Sequence, residues 1–195
     1  VIGQATATIT LGALAATYDG SPKPATATTD PAGLALVVTY DSSATAPTDA
    51  GIYAVEAVID DVNYAGSATG TLVIGQATAT VTLGALAATY DGSPRPVTTA
   101  TDPADPAVLV TYDGSATAPT DAGSYAVEAV IDDANYTGSA TGTLVIGQAT
   151  ATVTLGALAA TYDGSPQPVT ATTDPAGLAL VVTYDSSATA PTDAG

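Results

Sequence analysis

Apolar and polar residues alternate with a period of two along most of this chain, the pattern of strands that bury one face. Ala5, Ala7, Ile9 and Leu11 share one face against Thr6, Thr8 and Thr10. Leu14, Ala16 and Tyr18 form the next, ended by Asp19-Gly20-Ser21-Pro22, residues that favour a turn. Leu34, Leu36, Val38 and Tyr40 predict a third strand closed by Asp41-Ser42-Ser43. Tyr53, Val55, Ala57 and Ile59 predict a fourth, followed by the corner Asp60-Asp61-Val62-Asn63. Ala68, Gly70, Leu72 and Ile74 then alternate against Ser67, Thr69, Thr71 and Val73. With a further strand over residues 25–29, this makes about six short strands between turns, the spacing of a sandwich or small barrel. Helix signals are weak throughout, so the fold class is all-β.

The pattern recurs. VIGQATAT begins at Val1, Val73 and Val145, a period of 72 residues. The first two copies differ at 13 of 72 positions, and the third differs from the first only at Ile9/Val153, Lys23/Gln167 and Ala25/Val169. The third copy ends at Gly195, the counterpart of Gly51, so it lacks the equivalent of residues 52–72. The expected organisation is β repeats over 1–72, 73–144 and a shortened 145–195, within a longer array. A permuted unit such as 52–123 is equally periodic, which leaves the phase open. No flexible linker separates the copies: residues 67–83 read as two strands broken only at Gly75-Gln76. Such a junction restricts bending, unlike a Gly/Ser tether. Strands laid along a rod would make each repeat add on the order of 30 to 40 Å.

Composition narrows the chemistry. The 195 residues include no Cys, Met, Trp, Phe or His, and 19 acidic side chains face 2 basic ones, for a net charge of −17. Without Cys and His, disulfides, zinc fingers, thiol nucleophiles and imidazole bases are excluded. An acidic surface repels phosphate backbones and anionic lipids, so no nucleic-acid partner is expected. No run approaches the ~18 apolar residues of a membrane helix, so this segment is not expected to insert. Each full repeat has a core of Val, Leu, Ile and Ala plus four Tyr. A core that small is only marginally stable, so contacts between neighbouring repeats are expected to add support.

Several motifs keep the same order in every copy as far as it extends. They are Thr17-Tyr18-Asp19-Gly20-Ser21-Pro22-Lys23, Val38-Thr39-Tyr40-Asp41, Ala46-Pro47-Thr48-Asp49-Ala50-Gly51-Ile52-Tyr53-Ala54-Val55 and Asn63-Tyr64-Ala65-Gly66, then Gly70-Thr71-Leu72-Val73-Ile74. Together they resemble the MBG ("mostly beta, glycine-rich") repeat, found in tandem in large bacterial surface and secreted adhesins. The resemblance implies stalk modules that hold an adhesive domain away from the cell, and it supplies no catalytic residues. Asp49-Ala50-Gly51-Ile52-Tyr53 also looks like the tyrosine-corner segment of immunoglobulin-like domains. The expected module is therefore a small Ig-like β-sandwich, with a β-grasp-like sheet as the alternative.

Candidate sites are few. Asp60, Asp61 and Asn63, repeated as Asp132, Asp133 and Asn135, put three oxygen ligands into four residues and are the candidate calcium (Ca2+) site. Calcium takes roughly six to eight oxygens, so Asp49, Asp41 or a neighbouring repeat would have to contribute. The alternative is a solvated acidic turn. Lys23 and Arg95 are replaced by Gln167 in the third copy, which excludes a recurring isopeptide crosslink and points to a tolerant loop. Thr6, Thr8 and Thr10 form a Thr-x-Thr-x-Thr row of ice-binding spacing, but Thr is also a good exposed strand residue. Asn135-Tyr136-Thr137 is a formal glycosylation sequon that Asn63-Tyr64-Ala65 does not repeat. Paired carboxylates recur without a pocket-forming insertion, so no enzyme is expected.

The leading expectation is an extracellular, non-catalytic stalk segment of a bacterial cell-surface adhesin. One rival is a fibre in which repeats of several chains pack laterally or exchange strands, since the third copy's edges are open to pairing. The other is a module that binds a glycan or a host protein.

Overall fold

The computed structural model describes residues 2–193. The first module holds β1 (Ala5–Thr6), β2 (Thr8–Gly12), β3 (Ala15–Thr17), β4 (Thr26–Asp30), β5 (Leu36–Tyr40), β6 (Gly51–Ile59), β7 (Tyr64–Ala65) and β8 (Ser67–Gly75). The second repeats it as β9 (Ala77–Thr78), β10 (Thr80–Gly84), β11 (Ala87–Thr89), β12 (Thr98–Asp102), β13 (Val108–Tyr112), β14 (Gly123–Ile131), β15 (Tyr136–Thr137) and β16 (Ser139–Gly147). Strand pairing closes within residues 5–75 and again within 77–147.

Each module is a small two-layer sandwich. One layer is the sheet β3-β8-β6-β5, in which β8, β6 and β5 are antiparallel neighbours and β3 joins β8 in parallel. The other is the antiparallel ribbon β2–β4. Val55, Leu72, Ile74 and Tyr40 form the core between the layers, with Leu11, Leu14 and Val38 packed against them. The second module places Val127, Leu144, Ile146 and Tyr112 in the same way. The described residues contain no helix to lay across the sheet, and the observed layers are those of the sandwich.

Alternation explains the two long strands. In β6 the inward Val55, Ala57 and Ile59 are buried while Ala54, Glu56 and Val58 are exposed, and β8 repeats this with Leu72 and Ile74. The corner before β6 is built as expected of an Ig-like domain: the Tyr53 hydroxyl donates to the Asp49 carbonyl at 2.9 Å, and Tyr125 does the same to Asp121. A side chain at Gly51 would press on that ring, with the phenolic oxygen 3.1 Å from its Cβ.

The first predicted strand is two. At Ala7 the chain leaves β1, which pairs in parallel with β7, and enters β2, which pairs antiparallel with β4. The crossing brings the Ala7 carbonyl so close to Gly66 that a Cβ there would lie 2.3 Å from it. Period-two alternation continues through such a switch, so sequence alone did not reveal it.

Tyr40 shows how a sparse core keeps its polar groups satisfied. Its hydroxyl accepts a hydrogen bond from the Ala25 N–H at 2.8 Å, and Tyr112 accepts from Val97 at 2.9 Å. The Tyr112→Phe variant leaves the Val97 N–H without that partner, a loss of about 1 to 3 kcal/mol. Urea unfolding of the variant is expected to show this as a lower midpoint at unchanged slope.

In the third copy, β17 (Thr152–Gly156) and β18 (Thr170–Asp174) form the ribbon. Residues 159–161 and 180–183, the counterparts of β3 and most of β5, form no strand. Both would pair with the counterparts of β6 and β8, which this sequence does not contain. Their apolar side chains stand open: Leu158 is 70%, Tyr162 64% and Val181 89% exposed.

Candidate functional site

The corner between β6 and β7 is an ordered turn. Asp61 Oδ1 accepts from the Asn63 N–H at 2.7 Å and the Tyr64 N–H at 3.1 Å, and Asp133 caps Asn135 and Tyr136 in the same way. Asp60 and Asp132 donate their backbone N–H to the Ala35 and Ala107 carbonyls. Gln4 ties the corner from outside, its Nε2 donating to the Asp61 carbonyl at 2.9 Å. In the second module that role falls to Gln76, whose Nε2 donates to the carbonyls of Asp133, Ala134 and Tyr136 at 3.0–3.2 Å. Gln76 is also the single residue between β8 and β9. The connection between modules is thus fastened into the second module as soon as it leaves the first.

The second corner reaches back to the first module. Asn135 Oδ1 accepts from the Ala50 N–H at 2.8 Å, while its Nδ2 donates to Asp49 Oδ1 at 3.1 Å. Beside it, the Tyr136 and Tyr18 rings meet edge to face, with centroids 5.3 Å apart and planes at 82°, a favoured aromatic geometry. Desolvation raises the Tyr18 pKa above the usual tyrosine value, reinforced by Tyr136 and by the carboxylates of Asp49, Asp133 and Asp19. A neutral hydroxyl is therefore held among acidic groups at the join. The linker, the hydrogen-bonded Asn135 and the tyrosine pair all act on one interface.

This geometry gives the candidate calcium residues other roles. Asp61 and Asp133 spend a carboxylate oxygen on turn N–H groups, Asn135 bridges two modules, and Asp60 and Asp132 bond neighbouring backbone. Among the described residues no group of three or more acidic side chains is gathered to hold a metal ion. Calcium is therefore expected to leave the melting temperature of the chain unchanged. A calcium-dependent rise that EDTA reverses would restore these residues as ligands. Asn135 also uses its side-chain nitrogen at the join, where a glycan on the sequon would collide with Asp49.

The variable position in Ser-Pro-x-Pro has a shared contact. Lys23 pairs with Asp19 and Arg95 with Asp91, while Gln167 Nε2 donates to Asp163 Oδ1 at 2.7 Å. In the first two copies the turn carboxylate is held below its usual pKa. At Asp19 the cause is first the Lys23 hydrogen bond and then the Ser21 N–H, and at Asp91 first the Ser93 N–H. These pairs are exposed, and such pairs contribute little to stability. Long side chains with a donor at the tip are interchangeable here, which accounts for the tolerance.

Sequence reasoning missed Tyr18, Asp49, Ala50 and Tyr136 as partners in an interface. The available signal was the Gly75-Gln76 junction, too short to keep two modules apart.

Pairing within each period and fastening between periods define a class of protein: a tandem array of small all-β modules joined strand to strand. The MBG domain matches residues 7–78, 79–150 and 151–195, and the chain belongs to the MBG domain family. Membership is consistent with a repeat module of a surface protein. No curated protein matches the chain.

Proposed function

We propose that this chain is a non-catalytic spacer in a large bacterial cell-surface or secreted adhesin, where repeated modules hold a distal adhesive region away from the cell. The observation that carries the reading is the join at Asn135. A linker residue latched into one module, and a side chain of that module hydrogen-bonded to the other, fix the direction in which the chain continues. Copy number then sets reach. The acidic surface, with Glu56 and Glu128 exposed in the middle of the sheets' outer faces, keeps neighbouring rods apart by like-charge repulsion. The working partners are neighbouring repeats of the same chain, and the working location is extracellular.

Small-angle scattering combined with light scattering tests the reading on the chain as it stands. The expected result is one monomeric mass at all concentrations and an elongated profile that salt leaves unchanged. Mass growth with concentration would replace the spacer by an assembling fibre. A profile of independently tumbling beads would remove the rigid join.

A further inference from the structure

We propose that the open face of residues 151–193, together with the end of the second module, is an acceptor groove for a β-hairpin of the sequence 123–147 offered in trans. Two separate observations converge on this occupant. The first is the exposed apolar set Leu155, Leu158, Tyr162 and Val181. Their first-module counterparts Leu11, Leu14 and Tyr18 pack on Leu72, Ile74 and Val55, which belong to the hairpin β6–β8. The third copy departs from the first only at Val153, Gln167 and Val169. Val169 matches Val97, which already packs in the second module's core. The groove is thus chemically the one that β14 and β16 fill in the second module.

The second observation lies at the next join. A cavity of about 450 Å³ is lined by Tyr90, Ala122, Gln148 and Leu178. Tyr90 and Ala122 are the counterparts of Tyr18 and Ala50, which receive Tyr136 and Asn135 at the first join. Tyr90 is 40% exposed, whereas Tyr18 is half-buried. Gln148 corresponds to Gln76, whose Nε2 binds the carbonyls of the corner at Asp133–Tyr136. A hairpin seated by its strands on the third copy would therefore place its own Asn135–Tyr136 corner in this cavity. It would meet an aromatic edge and a backbone donor already in position.

The occupant is a free hairpin rather than one already folded in a module. When two copies of this chain exchange hairpins, each groove filled leaves another open, so exchange brings no net gain in contacts and the chain alone stays monomeric.

The test titrates a synthetic 123–147 peptide into the full chain, read by native mass spectrometry and by amide hydrogen exchange. The expected result is a complex with one peptide per chain and new protection at residues 159–161 and 180–184, with residues 36–40 and 108–112 unchanged. A peptide carrying Leu144→Asp should form no complex. A peptide carrying Asn135→Ala and Tyr136→Ala should bind about tenfold more weakly, as expected for the loss of one or two contacts. Absence of a complex, equal binding by the Leu144→Asp peptide, or protection confined to the first two modules would each overturn the proposal.

Discussion

Leu144→Ala is expected to lower the stability of the second module by about 3 kcal/mol, within the ~2 to 5 kcal/mol range for large-to-small core changes. Leu144 is 0% exposed and packs within the cluster of Tyr112, Val127 and Ile146. This core has no large side chain besides tyrosine, and Tyr112 is anchored by its bond to Val97. Little can move in to fill the space, which places the cost in the middle of the range or above. A domain of this length has total stability of only about 4 to 11 kcal/mol, so the loss is a large fraction of it. Native-state hydrogen exchange should show the change, with protection falling across β14 and β16 while β6 and β8 keep most of theirs. Leu72→Ala should mirror the result in the first module.

Gly138→Ala acts by a different route and should cost about 2 to 3 kcal/mol, as overpacking does where the neighbours cannot yield. A Cβ at Gly138 would lie 2.1 Å from the Ala79 carbonyl. That atom is backbone, so relief requires the incoming strand to move. Displacing it breaks the β9–β15 pairing and loosens the Gln76 latch and the corner that holds Asn135. The variant should lose stability in the second module and also its fixed orientation to the first. Gly147→Ala is the control: its Cβ would come no closer than 3.7 Å to the Ala88 carbonyl, and a change below about 0.5 kcal/mol is expected for such a site. A melt in which both glycine variants behave alike would contradict the close crossing.

The faces of β6 and β8 were legible in the sequence because period-two alternation maps directly onto burial when one face meets a core. The tyrosine corner was legible for a local reason, since Tyr53 reaches only four residues back. The switch at Ala7 was not, because a strand that changes partners keeps its alternation. The join was hidden for two further reasons. Its partners Ala50 and Asn135 lie 85 residues apart, and the acidic corner carries residue types that fit a turn, a metal or an interface equally well. Only placement beside Asp49 and Tyr18 separates the three. The unpaired segments of the third copy show the converse: residues 180–183 carry a good strand sequence but form no strand, because strand propensity needs a partner to pair with.

The central claim is that Asn135 and Tyr136 hold two modules in one orientation, and a distance measurement between spin labels tests it most directly. The chain has no native cysteine, so Glu56→Cys and Glu128→Cys place one label on the outer sheet of each module without competing sites. One narrow distance distribution is predicted, which broadens when Asn135→Ala and Tyr136→Ala are added while both modules stay folded. A broad distribution in the parent chain, or a narrow one that the double substitution leaves unchanged, would contradict the account.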